Sequence, residues 1–544
     1  MRILRRFFRR FCPYAATVAL PFLCSGADKP ENVVLQYHFI GATQLAQNTN
    51  VAAAARVFAQ NSTIDFEDLV LDRLARHLAE SLHFQTNKGA DALLRPLLES
   101  VLLSESMASV SGSSGHPLDF VLAINLDPGL ARTWQQYLKT INNGPGEELR
   151  AETFSGWQWN NGTSNSFWMV PAQDWLVVGR GESLASVRSD YLQQIQKSGR
   201  PGPSLDPNCF EADVDWPRLA NWIPLSGCPL KLGQTHAAIS AQDGNFHMTC
   251  QVTYPEAIQW QPHPMNLPTN LVHEPLTSFA TGLNVEPFLK SDETLSGLCT
   301  NPLSDQFYFW SMGELAFESY VAWPAKDPSN TMVTLSTHAI EDLNPKLQKL
   351  DGTELKWMPK LKQLIWMKLP MIYPDVRPVP AKGGQFLVAS LFPLPPGKAP
   401  APQALWDQID GRTNLVYYDW ELTGPRVRHL LTVTQVLPIL QMLGMGPSHA
   451  GSPEGKAPTA LEVQSRLDIQ EQWLAGLASF LGNTITEVTK TGPNELTVVR
   501  ISPFVFNSLE LVLLSHLLTD TPPGPIDWNL LPRAKMSGPG LPSH

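Results

Sequence analysis

Several groupings in this 544-residue sequence bring together side chains able to do chemistry, and each has a competing structural use. Gly179-Arg180-Gly181 lies between a strand pattern and a helix pattern, the setting of a dinucleotide-binding turn. That fingerprint needs a third glycine for close helix packing, and Leu184 stands there, so a plain strand-to-helix turn is expected. Gly112-Ser113-Ser114-Gly115-His116 sets hydroxyls beside an imidazole. A nucleophile–base pair needs fixed geometry that neighbours in a loop lack, so this stretch reads as a linker. His236 and His247 sit on one hairpin pattern and offer two nitrogen ligands, with no third in view. Asp127 and Asp215 have the residue type for acid–base work. Each also precedes a proline and an apolar helix, which gives it a complete role as a helix cap. The zinc helix His-Glu-x-x-His, the phosphate loop, the Gly-x-Ser-x-Gly elbow and the Ser-x-x-Lys pair are all absent, and no cofactor is implied.

Tryptophan gives the one two-sided signal. Trp157, Trp159, Trp168 and Trp175 cluster in one hairpin region beside the polar run Asn160 to Asn165. Exposed indoles among amides suit stacking on sugar rings, so these four are the candidate ligand-binding residues. The competing expectation puts Trp168 and Trp175 in a sheet core, because large aromatics are mostly buried.

These groupings belong to a chain that carries an export address. Residues 1–10 hold five arginines and no acid, residues 11–23 are mostly apolar, and Ser25-Gly26-Ala27 precedes a polar run. This is the layout of a secretory signal peptide cleaved after Ala27. Cys24 as a lipid attachment point and Arg5-Arg6-Phe7-Phe8 as a twin-arginine signal are the variants of that reading. The apolar stretch is shorter than the ~20 residues that span a bilayer, and Leu509 to Leu518 is interrupted by Glu510, Ser515 and His516. No transmembrane segment is therefore expected in the mature chain. Cleavage leaves 35 of the 40 basic residues against 50 acidic ones, a formal charge of about −15, which opposes nucleic-acid binding. Cys209, Cys228, Cys250 and Cys299 remain, enough for two disulfides or for four buried thiols.

The elements that must position these residues read as α+β: two related halves of mainly antiparallel sheet flanked by helices, after a helical N-terminal segment. The expected divisions are a signal peptide (1–27), a mainly helical segment ending in a Ser/Gly loop (28–117), a first half (118–274), a second half with Pro-rich loops (275–520) and a disordered tail (521–544). Within the first segment Leu35 to Gly41 alternates like a strand, while Ser104 to Pro117 reads as a loop. Four joints repeat a strand, then Asp, Asn or Thr, then a nearby Pro, then apolar residues. They fall at Asp127, Asp215, Asn284 and Thr423, and are expected to be equivalent capped helix starts. A hairpin followed by a helix also occurs twice, at Ser166 to Val178 and at Thr484 to Val499, and Asp243-Gly244 marks a further hairpin.

The opening Val33 to Gly41, the repeated joints and Asp174 to Gly179 with its following helix resemble uncharacterised exported bacterial proteins built from strand–Asp–x–Pro–helix repeats. The resemblance implies a fold and an exported, periplasmic or extracellular location, with no site residues to carry over. The expectation for function is a non-catalytic exported protein that offers its sheets to a protein or cell-envelope partner. The alternatives are a carbohydrate-binding protein using the Trp-rich hairpin and an exported hydrolase with an unrecognised site.

Overall fold

Alternation of apolar and polar residues makes β1 (Val33–Phe39) a strand, as read from the sequence. Four helices follow, α1 (Ala42–Gln47), α2 (Ala52–Phe58), α3 (Asn61–Ser81) and α4 (Ala90–Leu103). Next come β2 (Ser106–Ser111), β3 (Asp119–Asn125), α5 (Pro128–Ile141), β4 (Glu147–Ala151), β5 (Phe154–Asn160), β6 (Ser166–Ala172), β7 (Trp175–Gly181) and α6 (Ser186–Ser198). β8 (Asn208–Asp215), α7 (Trp216–Leu219), β9 (Gln234–Gln242), β10 (Asn245–Thr253) and the short β11 (His273–Glu274) complete the first run. The second run holds β12 (Leu276–Gly282), β13 (Phe307–Met312), β14 (Ser319–Pro324), α8 (Pro328–Leu347), β15 (Glu354–Met358), β16 (Gln363–Met367), β17 (Asp375–Ala381) and β18 (Gly384–Ser390). It ends with β19 (Ala399–Pro400), α9 (Gln403–Asp407), β20 (Leu415–Leu422), α10 (Thr423–Leu440), α11 (Ala460–Ala478), β21 (Asn483–Gly492), β22 (Glu495–Ser502) and α12 (Ser508–Thr519).

The computed structural model describes residues 33–81, 89–112, 119–142, 144–151, 154–160, 166–181, 186–220, 233–287, 304–313, 318–347, 353–368, 373–392, 399–440 and 460–519. Residues 1–27, read from the sequence as a signal peptide, with Cys24, the Ser113 to His116 stretch, Cys228, Cys299, the Gly444 to Pro458 break and the tail from 521, lie outside the described residues. No helix among the described residues is long and apolar enough to cross a membrane.

The fold is α+β. Twenty strands form one antiparallel sheet, and β11 pairs with β19 separately. Followed by its pairings, the large sheet runs β4-β5-β6-β7-β3-β2-β1-β8-β9-β10 and then, across β10·β22, β22-β21-β20-β12-β13-β14-β18-β17-β16-β15. The connections on the two sides run in the same order. Ladder irregularities also coincide. β1 bulges between Val33 and Leu35 as β12 does between Leu276 and Ser278, and β8 between Asn208 and Phe210 as β20 does between Leu415 and Tyr417.

One helix layer covers one face. α3, α4 and α5 bury Ile124, Leu126, Met169, Leu176 and Val178, and α8 covers Leu364 and Leu387. α11 and α12 pack on α3, and α10 packs on α11 and α12, through Phe66, Leu430, Trp473 and Leu511. On the opposite face α6 covers Val121, Ala123 and Val177, and α9 with residues 265–272 covers Phe279, Tyr308 and Tyr418. Between these covers the opposite face of β10 and β22 is open: Thr249, Gln251, Val499 and Ile501 are exposed. At the sheet's β15 end, the Asn344 side chain accepts the Leu355 N–H (2.7 Å) and donates to the Leu355 carbonyl (3.0 Å).

Three sequence expectations need correction. Ser106–Ser111, read as part of a loop, is strand β2, laddered to β1 and β3; main-chain bonds on both edges outweigh its serine-rich composition. The four joints all leave sheet strands but are not one turn. Asp127 after β3 has its counterpart in Asp327 after β14, which caps α8 by accepting the Asn330 N–H (3.1 Å). Asp215 and Thr423 follow β8 and β20, and Asn284 after β12 matches Gly41 after β1, both at positive φ (59° and 89°). Thr423 is already helical and donates its hydroxyl to Thr484 (2.7 Å). Finally, the β21–β22 hairpin has its counterpart in β9–β10, which it pairs with, and not in the Trp-bearing β6–β7.

Candidate functional site

The four tryptophans are divided between the two faces of the sheet. Pairing of Trp157 with Met169 and of Trp159 with Phe167 sets the first two on the α3–α5 side, whereas Trp168 and Trp175 pack with Val170 and Val177 under α6. Trp168, Trp175 and Trp159 are 2%, 3% and 4% exposed. The Trp159 and Trp175 N–H groups donate to the carbonyls of Gly144 (3.0 Å) and Gly199 (3.1 Å). Trp157 is half-buried with the Lys139 ammonium 5.3 Å from its ring centre. Stacking on a sugar needs open ring faces on one surface, and three of these rings are closed on every side. Gly179 has a packing reason too: a Cβ there would overlap the Trp168 indole.

The other groupings also resolve into structure. Asp127 accepts the N–H groups of Gly129 (2.7 Å) and Leu130 (3.1 Å), and Asp215 accepts that of Arg218 (3.1 Å), so both cap helices. His236 pairs with Gln251 and His247 with Ser240, four ladder positions apart, or about 13 Å along the strand. No cluster of three metal-binding side chains occurs among the described residues. Cys209 and Cys250 are buried free thiols. Burial pushes Cys209 up to about 11 and Cys250 up to about 12, so both stay protonated.

The chemistry that stands out lies on β20 and β22 beneath α10 and α12. Alternation turns Tyr417, Asp419 and Glu421 of β20 to the helix side, where Asp419 lies opposite Thr486 and Glu421 opposite Thr484. Arg500 of β22, next across the ladder, donates to Thr486 (2.9 Å) and grips Glu510 of α12 through two bonds of 2.6 and 2.8 Å. Glu510 also accepts the Asn507 N–H (2.9 Å). Glu421 accepts the Ser508 N–H (2.7 Å) and hydroxyl (2.6 Å), tying the start of α12 to β20. Arg426 of α10 stands 5.0 Å over the Phe309 ring.

Burial raises Glu421 above the usual carboxylate range, opposed by the two Ser508 bonds. Asp419 is raised well above it, first by burial and then by the Glu421 charge. Burial lowers Arg426, against the pull of Glu421 and Asp419. For Arg500 the Glu510 carboxylate overcomes burial and raises it. Sequence reading passed over these acids because they sit in an otherwise apolar strand pattern. Their signal was the Asp-x-Glu spacing itself, which sends two carboxyls to one face of β20.

No protein-family model matches this chain, and no curated protein or solved structure matches it either.

Proposed function

We propose that this is an exported, non-catalytic protein that serves as an interaction or scaffold surface in the cell envelope or outside the cell, of the kind seen in the uncharacterised exported bacterial proteins it resembles. The leader in residues 1–27 supports export. In this reading the chain is two related halves, residues 33–253 and 276–519, joined edge to edge at β10·β22. Matching strand order and matching bulges support that relation, and they move the start of the first half back to β1.

The observation that carries the functional reading is the open face of β10 and β22. Val499 and Ile501, 40% and 37% exposed, stand there beside Thr249 and Gln251, between the covers formed by α6 and α9. Apolar side chains exposed on rigid strands among hydroxyls and amides suit a protein partner. A photo-crosslinking residue at Thr249 or Val499, expressed in the native cell, should give one discrete protein adduct, while Leu361, far along the sheet on the β15–β16 turn, should not. Equal labelling at all three positions, or none at any, would refute the assignment.

A further inference from the structure

The array beneath α10 and α12 contains three carboxyls, Asp419, Glu421 and Glu510, and two guanidiniums, Arg426 and Arg500. Two of the carboxyls are satisfied by named partners: Glu510 by Arg500 and the Asn507 N–H, Glu421 by Ser508. Asp419, 6% exposed, stands outside the hydrogen bonds that fix Glu421 and Glu510. Its ladder neighbours are Ala280 and Thr486, and the hydroxyl of Thr486 is engaged by Arg500. A largely buried space with three acids and two guanidiniums is balanced when one acid is neutral, and the acid outside those bonds is the one that gains most from its proton.

A comparison inside the molecule shows that the sheet itself does not require these charges. Counted from the shared bulges, Ala212 of β8 occupies the place of Asp419, Val214 that of Glu421 and Ala237 that of Thr486. One strand further on, Cys250 beside Ala237 takes the place of Arg500 beside Thr486. The first run fills every one of these positions with small or apolar side chains, whereas the second fills them with ionisable and hydroxyl groups.

We propose that this array is a pH-responsive latch, in which Asp419 carries a proton at neutral pH and loss of that proton loosens α10 and α12 from β20 and β22. Ionisation would set a second negative charge next to Glu421, where Arg500 is already committed to Glu510 and Arg426 stands over the Phe309 ring. Relief comes by admitting water, and the helices that exclude it are α10, whose Arg426 lies over the Phe309 ring of β13, and α12, held through Ser508 and Glu510. The titratable and charged groups facing Asp419 are Glu421 and Tyr417 on its own strand, Arg500 on β22, Arg426 on α10 and Glu510 on α12. β12 and β21 face it with Ala280 and Thr486. His429 is also buried on α10. The sign follows from linkage. A carboxyl that binds its proton more tightly folded than unfolded contributes stability that is complete below about pH 4 and is lost as pH climbs through its folded value.

The test follows the full chain from about pH 5 to about pH 9, above the ordinary carboxylate range. The wild type should show the infrared carbonyl band of a protonated carboxylic acid at neutral pH, lost in Asp419→Asn. Its Tm should fall as pH rises, and that slope should flatten in Asp419→Asn and in Asp419→Ala, the latter reproducing the Ala212 setting of the first run. His429→Gln should leave the slope in place. Amide exchange, corrected for its intrinsic pH dependence, should rise roughly tenfold or more in α10 and α12 and stay level in α5. Absence of the acid band in the wild type, a slope that survives in the folded Asp419 variants, or equal opening of α5 would overturn the latch. If neither variant folds, the band and the exchange pattern of the wild type decide.

Discussion

Arg500 has the most to lose from the removal of one neighbour. It is fully buried, it holds Glu510 in a two-bond fork, and it also bonds Thr486 and the Val505 carbonyl (3.0 Å). Arg500→Met should leave the Glu510 carboxylate buried without its cation and cost about 3–5 kcal/mol in urea unfolding. Arg500→Met with Glu510→Met should recover most of that loss, because the pair exchanges its mutual attraction for ordinary apolar packing. Cys250 already shows that a small uncharged side chain suits the corresponding ladder position. A single variant as stable as the wild type would mean that water reaches this site, which the burial of both side chains argues against.

At the level of elements, the helix starts were the most legible feature. Asp127 with Pro128 and the apolar residues after it can be read straight from the sequence, and the bonds to Gly129 and Leu130 bear out the cap; the structure adds the buried stripe Trp134, Leu138 and Ile141. Asp127→Ala should cost ~0.5–2 kcal/mol of stability, read from the denaturation midpoint; no change would mean that the two N–H groups find water as readily as the carboxylate. Other elements escaped for physical reasons. β2 is written in serines and is a strand because ladders on both edges hold it, a long-range cause that no local window contains. The tryptophans gave their hairpin correctly, but strand alternation alone could not say that α6 and α3–α5 would close both faces. Asp419 and Glu421 were hidden because their partners, Arg500, Ser508 and Glu510, lie some eighty residues or more away in the chain. Equivalence among the joints was overdrawn: Asp127 follows β3, and the strand at the matching place in the order, β14, is followed by Asp327, which was not among the four.

At the level of the whole molecule, β10·β22 turns two ten-strand runs into one surface. Nineteen inter-strand steps at ~4.8 Å carry the sheet about 90 Å from β4 to β15. A sheet of that length has the same two free edges as a small one. Those edges carry most of its risk, because an unpaired strand is a template for the next. β4 meets that risk with Glu147 and Glu148 at its start.

The other edge has a different answer. In the terms of polymer chemistry, an antiparallel sheet is a growing chain whose last strand is a live end, and monomers of the same kind are always nearby. Asn344 is a chain terminator. Its amide presents one acceptor and one donor to Leu355, as the next strand would, and passes on no further ladder for an incoming strand to join. Asn344→Ala should fold, since Leu343 and the rest of the α8 apolar stripe are untouched, yet its end would be live. Light scattering should then show mass growing with concentration, and Asn344→Asp, which keeps the acceptor and loses the donor, should fall between. An alanine variant that stays monodisperse over the same range would place the termination step elsewhere on β15. On this view a single side chain helps to set where a twenty-strand polymerisation stops.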